Sequence, residues 1–329
     1  MLAALAACSR GPGTTAAPPA GGAWTAIEPS PLGADVLASA VWTGRSVIHF
    51  NGQQGAAFDP AAGRWARIAD APEPADETGA VWAGTQLAVK AKNGGPLLLY
   101  DPAADRWRRS SPWPFVEGPL VWTGDLLAVW GRRAEEPDRC VPGSCTTYTS
   151  DGAFYDPARD RWAPIPRPAL RPRVAAAVVW AADRLVVWGG YDATEASRPE
   201  LFGDGAVYDP AAGAWARMAP SPVKPTAFTF FDSAGAVSTG DRMLVAPGAT
   251  YDPVANRWTK TARPPFEPGS LAVWTGARLY ALAGDQGAAL AYDPAADRWS
   301  RVPGRLVAAA AWTGEEIIAV APEPARYRP

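Results

Sequence analysis

Six aspartates occupy the same heptapeptide, Asp-Pro-x-x-x-x-Trp, at positions 59, 101, 156, 209, 252 and 293, with its tryptophans at 65, 107, 162, 215, 258 and 299. Carboxylates at a regular spacing are candidates for general acid and base work or for holding a metal. The neighbouring residue types favour a structural role. The proline presets φ for a turn, and the fifth position holds Gly63, Asp105, Asp160, Gly213, Asn256 or Asp297, all types that tolerate the left-handed region. The only histidine, His49, lies in the apolar stretch Ser-Val-Ile-His-Phe. It reads as a packed residue, which leaves a histidine-dependent triad or a zinc site short of ligands. With 33 acids in the chain, a carboxylate pair such as Asp35 and Glu267 is not distinguished by sequence as a glycosidase pair. Glycine-rich phosphate loops leading into helices are absent. No cofactor and no metal are expected.

These motifs need elements to hold them. A strand ending in an aromatic precedes each one (Phe58, Tyr100, Tyr155, Tyr208, Tyr251, Tyr292), and the motif tryptophan opens the next strand. Upstream recurs Val-Trp-Thr-Gly or a relative, at Trp42, Trp82, Trp122, Trp274 and Trp312, with variants at Trp180 and Ser238; apolar runs flank it and imply two strands joined by a tight turn. The unit is therefore a four-stranded antiparallel meander of 41 to 55 residues, the period of a propeller blade. The Trp-Thr-Gly element occurs seven times and the Asp-Pro element six. Trp24-Thr-Ala-Ile-Glu-Pro-Ser-Pro aligns with the outer strands at Trp65 and Trp215, so the prediction is an all-β, seven-bladed propeller closed by an N-terminal strand. The blades at Trp180 and Ser238 are expected to be the weaker ones.

The aromatic, the turn, the following tryptophan and the pair Gly189-Gly190 resemble kelch-repeat propellers, the group that includes the central domain of galactose oxidase, over roughly residues 24 to 329. The resemblance is divergent, since the double glycine is reduced elsewhere to Asn51-Gly52, Gly131 or Gly284. The copper chemistry of galactose oxidase is not implied, because His49 is alone and no cysteine is left to crosslink. The motif is also similar to the Asp-box of sialidases, but the pattern Ser-x-Asp-x-Gly-x-x-Trp is not met.

The termini and cysteines speak to location. Leu5-Ala6-Ala7-Cys8 matches the lipobox of bacterial lipoproteins, in which the cysteine thiol accepts the lipid. The basic region that opens a signal is missing before it, so the expected precursor starts upstream of Met1. Residues 1–8 are expected to be the remnant of the signal and 9–23, rich in Gly, Pro, Ala and Thr, a flexible tether. Residues 24–329 are expected to form a single propeller domain. In Cys140-Val-Pro-Gly-Ser-Cys145 a Pro-Gly turn brings two thiols together, which favours a disulfide and an oxidising compartment. A net charge of −2 with interspersed signs gives no footprint for nucleic acid. No apolar run reaches the roughly 18 residues a membrane span requires, so membrane attachment is expected through lipid alone. A monomer at the cell envelope is expected.

In such a meander the second-to-third loops and the inter-blade links share one face, and their variability makes that face the place for recognition. It holds the insertions 131–154, with Arg132 and Arg133, and 190–206, with Tyr191, Asp192 and Arg198. The links add Trp113, Phe115, Arg171 and Arg173. Seven positions before each Trp-Thr-Gly element stand Asp35, Ala75, Phe115, Arg173, Phe231, Glu267 and Arg305, expected as a ring at the channel mouth. The function expected is binding of a protein or glycan. The alternatives are a glycan-processing hydrolase, lyase or isomerase using the ring's carboxylates and arginines, and a structural assembly part.

Overall fold

The computed structural model describes residues 22–329 except 36, 113–117, 134–148, 193–199, 225–235, 246–247, 266–270 and 283–288. The strands form seven four-stranded antiparallel sheets, each a blade. Blade one runs Ser39–Trp42, Val47–Phe50, Gly55–Asp59 and Arg64–Ile68. The first strands of the other blades are Val81–Ala83, Leu120–Trp122, Ala177–Ala181, Ala236–Ser238, Ala272–Trp274 and Val307–Trp312. Each packs on the first strand of the next blade, and Val307–Trp312 packs on Ser39–Trp42, so the seven inner strands close a ring.

Blade seven joins the two ends of the chain. Its strands are Val307–Trp312, Ile317–Pro322, Ala325–Tyr327 and, as the outer strand, Trp24–Ala26, which pairs with Ala325–Tyr327. An outer strand from the other end of the chain leaves no open edge in this blade.

The expected turns form. All six fifth-position residues have positive φ, from 45° at Asp297 to 65° at Gly63. The motif aspartate caps its own turn; Asp59 Oδ1, for example, accepts from the amides of Ala61 at 2.9 Å and Ala62 at 3.0 Å. These backbone bonds hold the Asp59 carboxyl below its ordinary pKa. Across the hairpin every motif tryptophan packs at a tilt of 35–49° on the aromatic that ends the preceding strand, with ring centroids 4.8–5.3 Å apart, and Trp24 on Tyr327 completes the set of seven.

Between blades, each motif tryptophan donates its indole N–H to a carbonyl of the blade before. Trp65 reaches Glu28, Trp107 Ala69, Trp162 Ser111, Trp215 Pro166, Trp258 Ala219, Trp299 Ala262 and Trp24 Pro303. The acceptor is always the residue four beyond the previous blade's tryptophan, so the chain of bonds runs once around the ring. Where the fifth-position residue is Asp or Asn, its side chain takes the amide N–H of that same residue: Ala69, Ser111, Ala219 and Ala262 donate to Asp105, Asp160, Asn256 and Asp297 at 2.7–2.8 Å. The same oxygen accepts from the hydroxyl of Tyr100, Tyr155, Tyr251 or Tyr292 at 2.6–2.8 Å. The glycines fit this rule. Gly213 faces Pro166, which has no N–H to satisfy, and Gly63 follows Phe58, which has no hydroxyl.

The two irregular copies still form complete blades. The hairpin turn of blade four places Ala182 at φ 47° and Asp183 at φ 57°. In place of the missing tryptophan, Ser238 Oγ donates to Trp180 O at 2.5 Å and Ala182 N donates to Gly240 O at 2.8 Å, tying blades four and five together. In blade three, residues 149–154 are not loop as expected. The second strand continues through Arg133, with Arg132 opposite Ser150 and Arg133 opposite Thr149. Backbone groups on both sides of the insertion thereby satisfy one another.

Candidate functional site

Inner strands run toward the motif turns, which places the links and second-to-third loops together on the opposite face. On that face the position seven residues before each Trp-Thr-Gly element, where it is described, contacts the second-to-third segment of its own blade. Asp35 accepts from Asn51 Nδ2 at 2.9 Å in blade one. Ala75 bridges to Ala91 in blade two and is fully buried. Arg305 donates to Glu323 O at 3.0 Å in blade seven, with the Glu323 carboxylate at 3.5 Å. In blades two and four the link pairs with the segment that follows the second strand before turning into the inner strand.

Blade four carries the most developed clasp. Gly189 and Gly190 have φ of 72° and 82°, and a Cβ on Gly190 would stand 2.7 Å from Val174 O. Only glycine lets the chain pass between the link and the returning segment. Tyr191 then pairs with Val174 on one side and Leu201 on the other, and Asp192 N donates to Glu200 O. Arg173 is 1 % exposed. It donates to Arg171 O at 3.1 Å, Gly189 O at 2.9 Å and Asp204 Oδ1 at 2.9 Å. Its guanidinium carbon lies 4.5 Å from the centroid of the Phe202 ring, and that of Arg171 lies 4.3 Å from the same ring. Arg171 also holds Glu200 through two bonds of 2.8 and 2.9 Å, which keep the Glu200 carboxyl below its ordinary pKa. Arg167 binds both carboxylate oxygens of Asp151 beside it. These charges are spent on one another, so the assembly is a braced platform with Tyr191, Asp192 and Leu201 at its surface.

The remaining expected residues divide simply. Arg132 and Arg133 end the extended strand of blade three. Trp113, Phe115, Arg198, Phe231, Glu267, Cys8, Cys140 and Cys145 lie outside the described residues. Asp35 and Arg173, offered as partners of Glu267 in a catalytic pocket, are held in blades one and four by separate neighbours. Among the described residues no group of His, Cys, Asp and Glu is arranged to hold a metal, and no helix is long and apolar enough to cross a membrane.

One cluster escaped the sequence reading. Eight residues after the first-strand tryptophan, at the end of the second strand, the blades carry Phe50, Trp130, Trp188, Leu282 and Val320, all buried. Blade two has Lys90. Its ammonium lies 3.2 Å from Asp76 Oδ2 and donates to Gly118 O, in the approach to blade three, at 2.6 Å. Asp76 Oδ1 accepts from Thr78 N at 3.1 Å and Thr78 Oγ1 at 3.2 Å. Burial alone would raise the Asp76 pKa, but Lys90 and Thr78 outweigh it and hold it low. Glu77 pairs with Lys92 at 2.8 Å, and its carbonyl accepts from the buried Ser39 of the blade-one inner strand at 2.8 Å. The signal was in the sequence: a lysine breaking an apolar column of the repeat.

Fold and strand order define this chain as a seven-bladed β-propeller. Among solved structures it is similar to a chain in the crystal structure of a mitotic checkpoint complex, with a TM-score of 0.59 and 12 % identity over 100 % of this chain and 97 % of that one. Likeness at that identity is of fold, which hosts many functions. No protein-family model and no curated protein matches the sequence.

Proposed function

We propose that this protein is an exported, lipid-anchored binding module of kelch-like type that presents the link-and-loop face of blades three and four to a protein partner. The observation that carries the reading is the braced platform of blade four. Scaffold residues recur around the ring, whereas Arg171, Phe202, Arg173 and Glu200 are a local addition that fixes the positions of Tyr191, Asp192 and Leu201. Rigid display of aromatic, acidic and apolar groups is what a recognition surface requires. The lipobox ending at Cys8, the Gly- and Pro-rich stretch 9–23, and the Cys-Val-Pro-Gly-Ser-Cys spacing of Cys140 and Cys145 support envelope location.

A photo-crosslinking residue at Tyr191 is expected to trap a discrete protein in the producing cell, and one at Ala61, on the motif-turn face, is not. Equal adducts at both positions, or none at Tyr191, would overturn the docking face. The anchor has its own test: labelled palmitate should enter the precursor and fail to enter Cys8→Ala. Under non-reducing conditions alkylation should find Cys140 and Cys145 blocked.

A further inference from the structure

We infer that the cluster Asp76, Thr78, Glu77, Lys90 and Lys92 of blade two is a binding site for a neutral, hydroxyl-rich ligand such as a saccharide or polyol, on the same link-and-loop face as the platform of blade four but made of different residues. The repeat supplies an internal control. Five blades fill the position of Lys90 with a buried apolar side chain, so the fold has no need of a charge there. The Lys90 and Asp76 side chains are 20 % and 30 % exposed, which costs both charges part of their hydration while leaving them reachable. A Lys–Asp pair of this kind is a weak device for stability, and a departure from a repeat's pattern is where a functional site is sought.

The position of the cluster suits ligand capture. Residues 76–80 lead into the inner strand of blade two, Gly118 leads into that of blade three, and Ser39 lies in that of blade one, so the groups gather on the rim across three blades. Ligand chemistry follows from charge and donor balance. Lys90 and Asp76 neutralise each other, as do Lys92 and Glu77, so an ionic ligand would have to break a pair. A hydroxyl does not. It accepts from an ammonium and donates to a carboxylate at once, leaving both pairs intact, and adjacent hydroxyls span two such groups.

The test uses the full chain on an array of immobilised neutral glycans, with sialylated glycans and free inositol as further arms. The variant Lys90→Leu/Asp76→Asn restores the apolar column and retains an acceptor for Thr78. Binding to neutral glycans or competition by inositol is expected in the wild type, with at least a tenfold loss in the variant and a melting midpoint equal or higher. Absence of binding on every arm, binding confined to sialylated glycans, or equal binding by the variant would each overturn the site. So would a variant whose melting midpoint falls steeply, because the pair would then be serving the fold. None of these outcomes bears on crosslinking at Tyr191.

Discussion

At the scale of single residues, the carboxylates of the repeat are consumed by structure, the motif aspartates in capping their own turns and the fifth-position aspartates in binding the blade before. Asp160 shows how completely: it adopts φ 48°, accepts the Tyr155 hydroxyl at 2.6 Å and takes the Ser111 amide of the previous blade at 2.8 Å. Asp160→Asn keeps the acceptor and is expected to retain stability, whereas Asp160→Gly should lose about 1–2 kcal/mol in urea unfolding. The tryptophans make a similar contrast. Trp299→Phe removes one hydrogen bond to Ala262 O and should cost about 1 kcal/mol, and Trp299→Ala, which also removes the ring contact with Tyr292, about 3 kcal/mol. His49 is the pH-sensitive residue. Burial lowers its pKa to about 4 from 6.5, against the opposing pull of Asp35, and Ser30 Oγ lies 2.7 Å from Nδ1. The folded state therefore binds this proton more weakly than the unfolded chain. Stability from the neutral ring is full above pH 6.5 and declines as pH falls toward 4, by up to about 3 kcal/mol. Subtracting the stability curve of His49→Gln from that of the wild type should isolate this decline between pH 6.5 and 5; a flat difference would refute it.

Elements obey the repeat even where the sequence departs from it, because neighbouring blades supply the missing contacts. In blade four, Ala182 sits at φ 47° where a glycine would be unstrained, and its amide is committed to Gly240 O. Ala182→Gly relieves the left-handed strain while keeping that bond, and is expected to raise stability by about 1 kcal/mol in thermal or denaturant unfolding. Blade seven departs through charge. Arg328 stands where other blades have the motif aspartate, and Glu316 stands where blades four, five and six have Arg184, Arg242 and Arg278 paired to that aspartate. The pair is reversed, and Glu316 is nearly buried against Arg326 and Arg328. Glu316→Gln should destabilise the protein, and its partners' positive charges make Glu316→Lys worse; the order of their melting midpoints is the check.

For the whole molecule, closure rests on a short strand carried from the opposite end of the chain. Trp24–Ala26 pairs with Ala325–Tyr327, Ile27 N donates to Pro324 O, and Trp24 and Glu28 each make one link in the ring of indole bonds. Tyr327-Arg328-Pro329 and Trp24 flank the place of a seventh motif turn. Joining Pro329 to Trp24 by Ala-Ala-Gly-Arg, with new ends opened between Ala211 and Ala212, is expected to give a folded permutant melting within a few degrees of the parent. Glycine is chosen because Pro303, the residue it would face, offers no N–H. Removing 22–31 should instead expose the edge of blade seven and produce oligomers in light scattering.

The sequence by itself determined the strand order, the blade count, the left-handed turn positions and the closing strand. Those features are local: an aspartate caps amides two and three residues away, and a tight hairpin fixes its own register. Only the tertiary structure decided which residues of neighbouring blades meet. The bonds from Trp107 to Ala69 and from Ser111 to Asp160 span 38 and 49 residues, and that from Trp24 to Pro303 spans 279. They depend on how far one blade is rotated against the next, which no local pattern states. Arg173, expected at the channel mouth, is enclosed within blade four, because it is the pairing of the link with the segment after the second strand that brings Gly189, Phe202 and Asp204 around it. Lys90 was legible as a break in an apolar column, but its partners Asp76 and Gly118 became known only once the link and the next blade were folded over it.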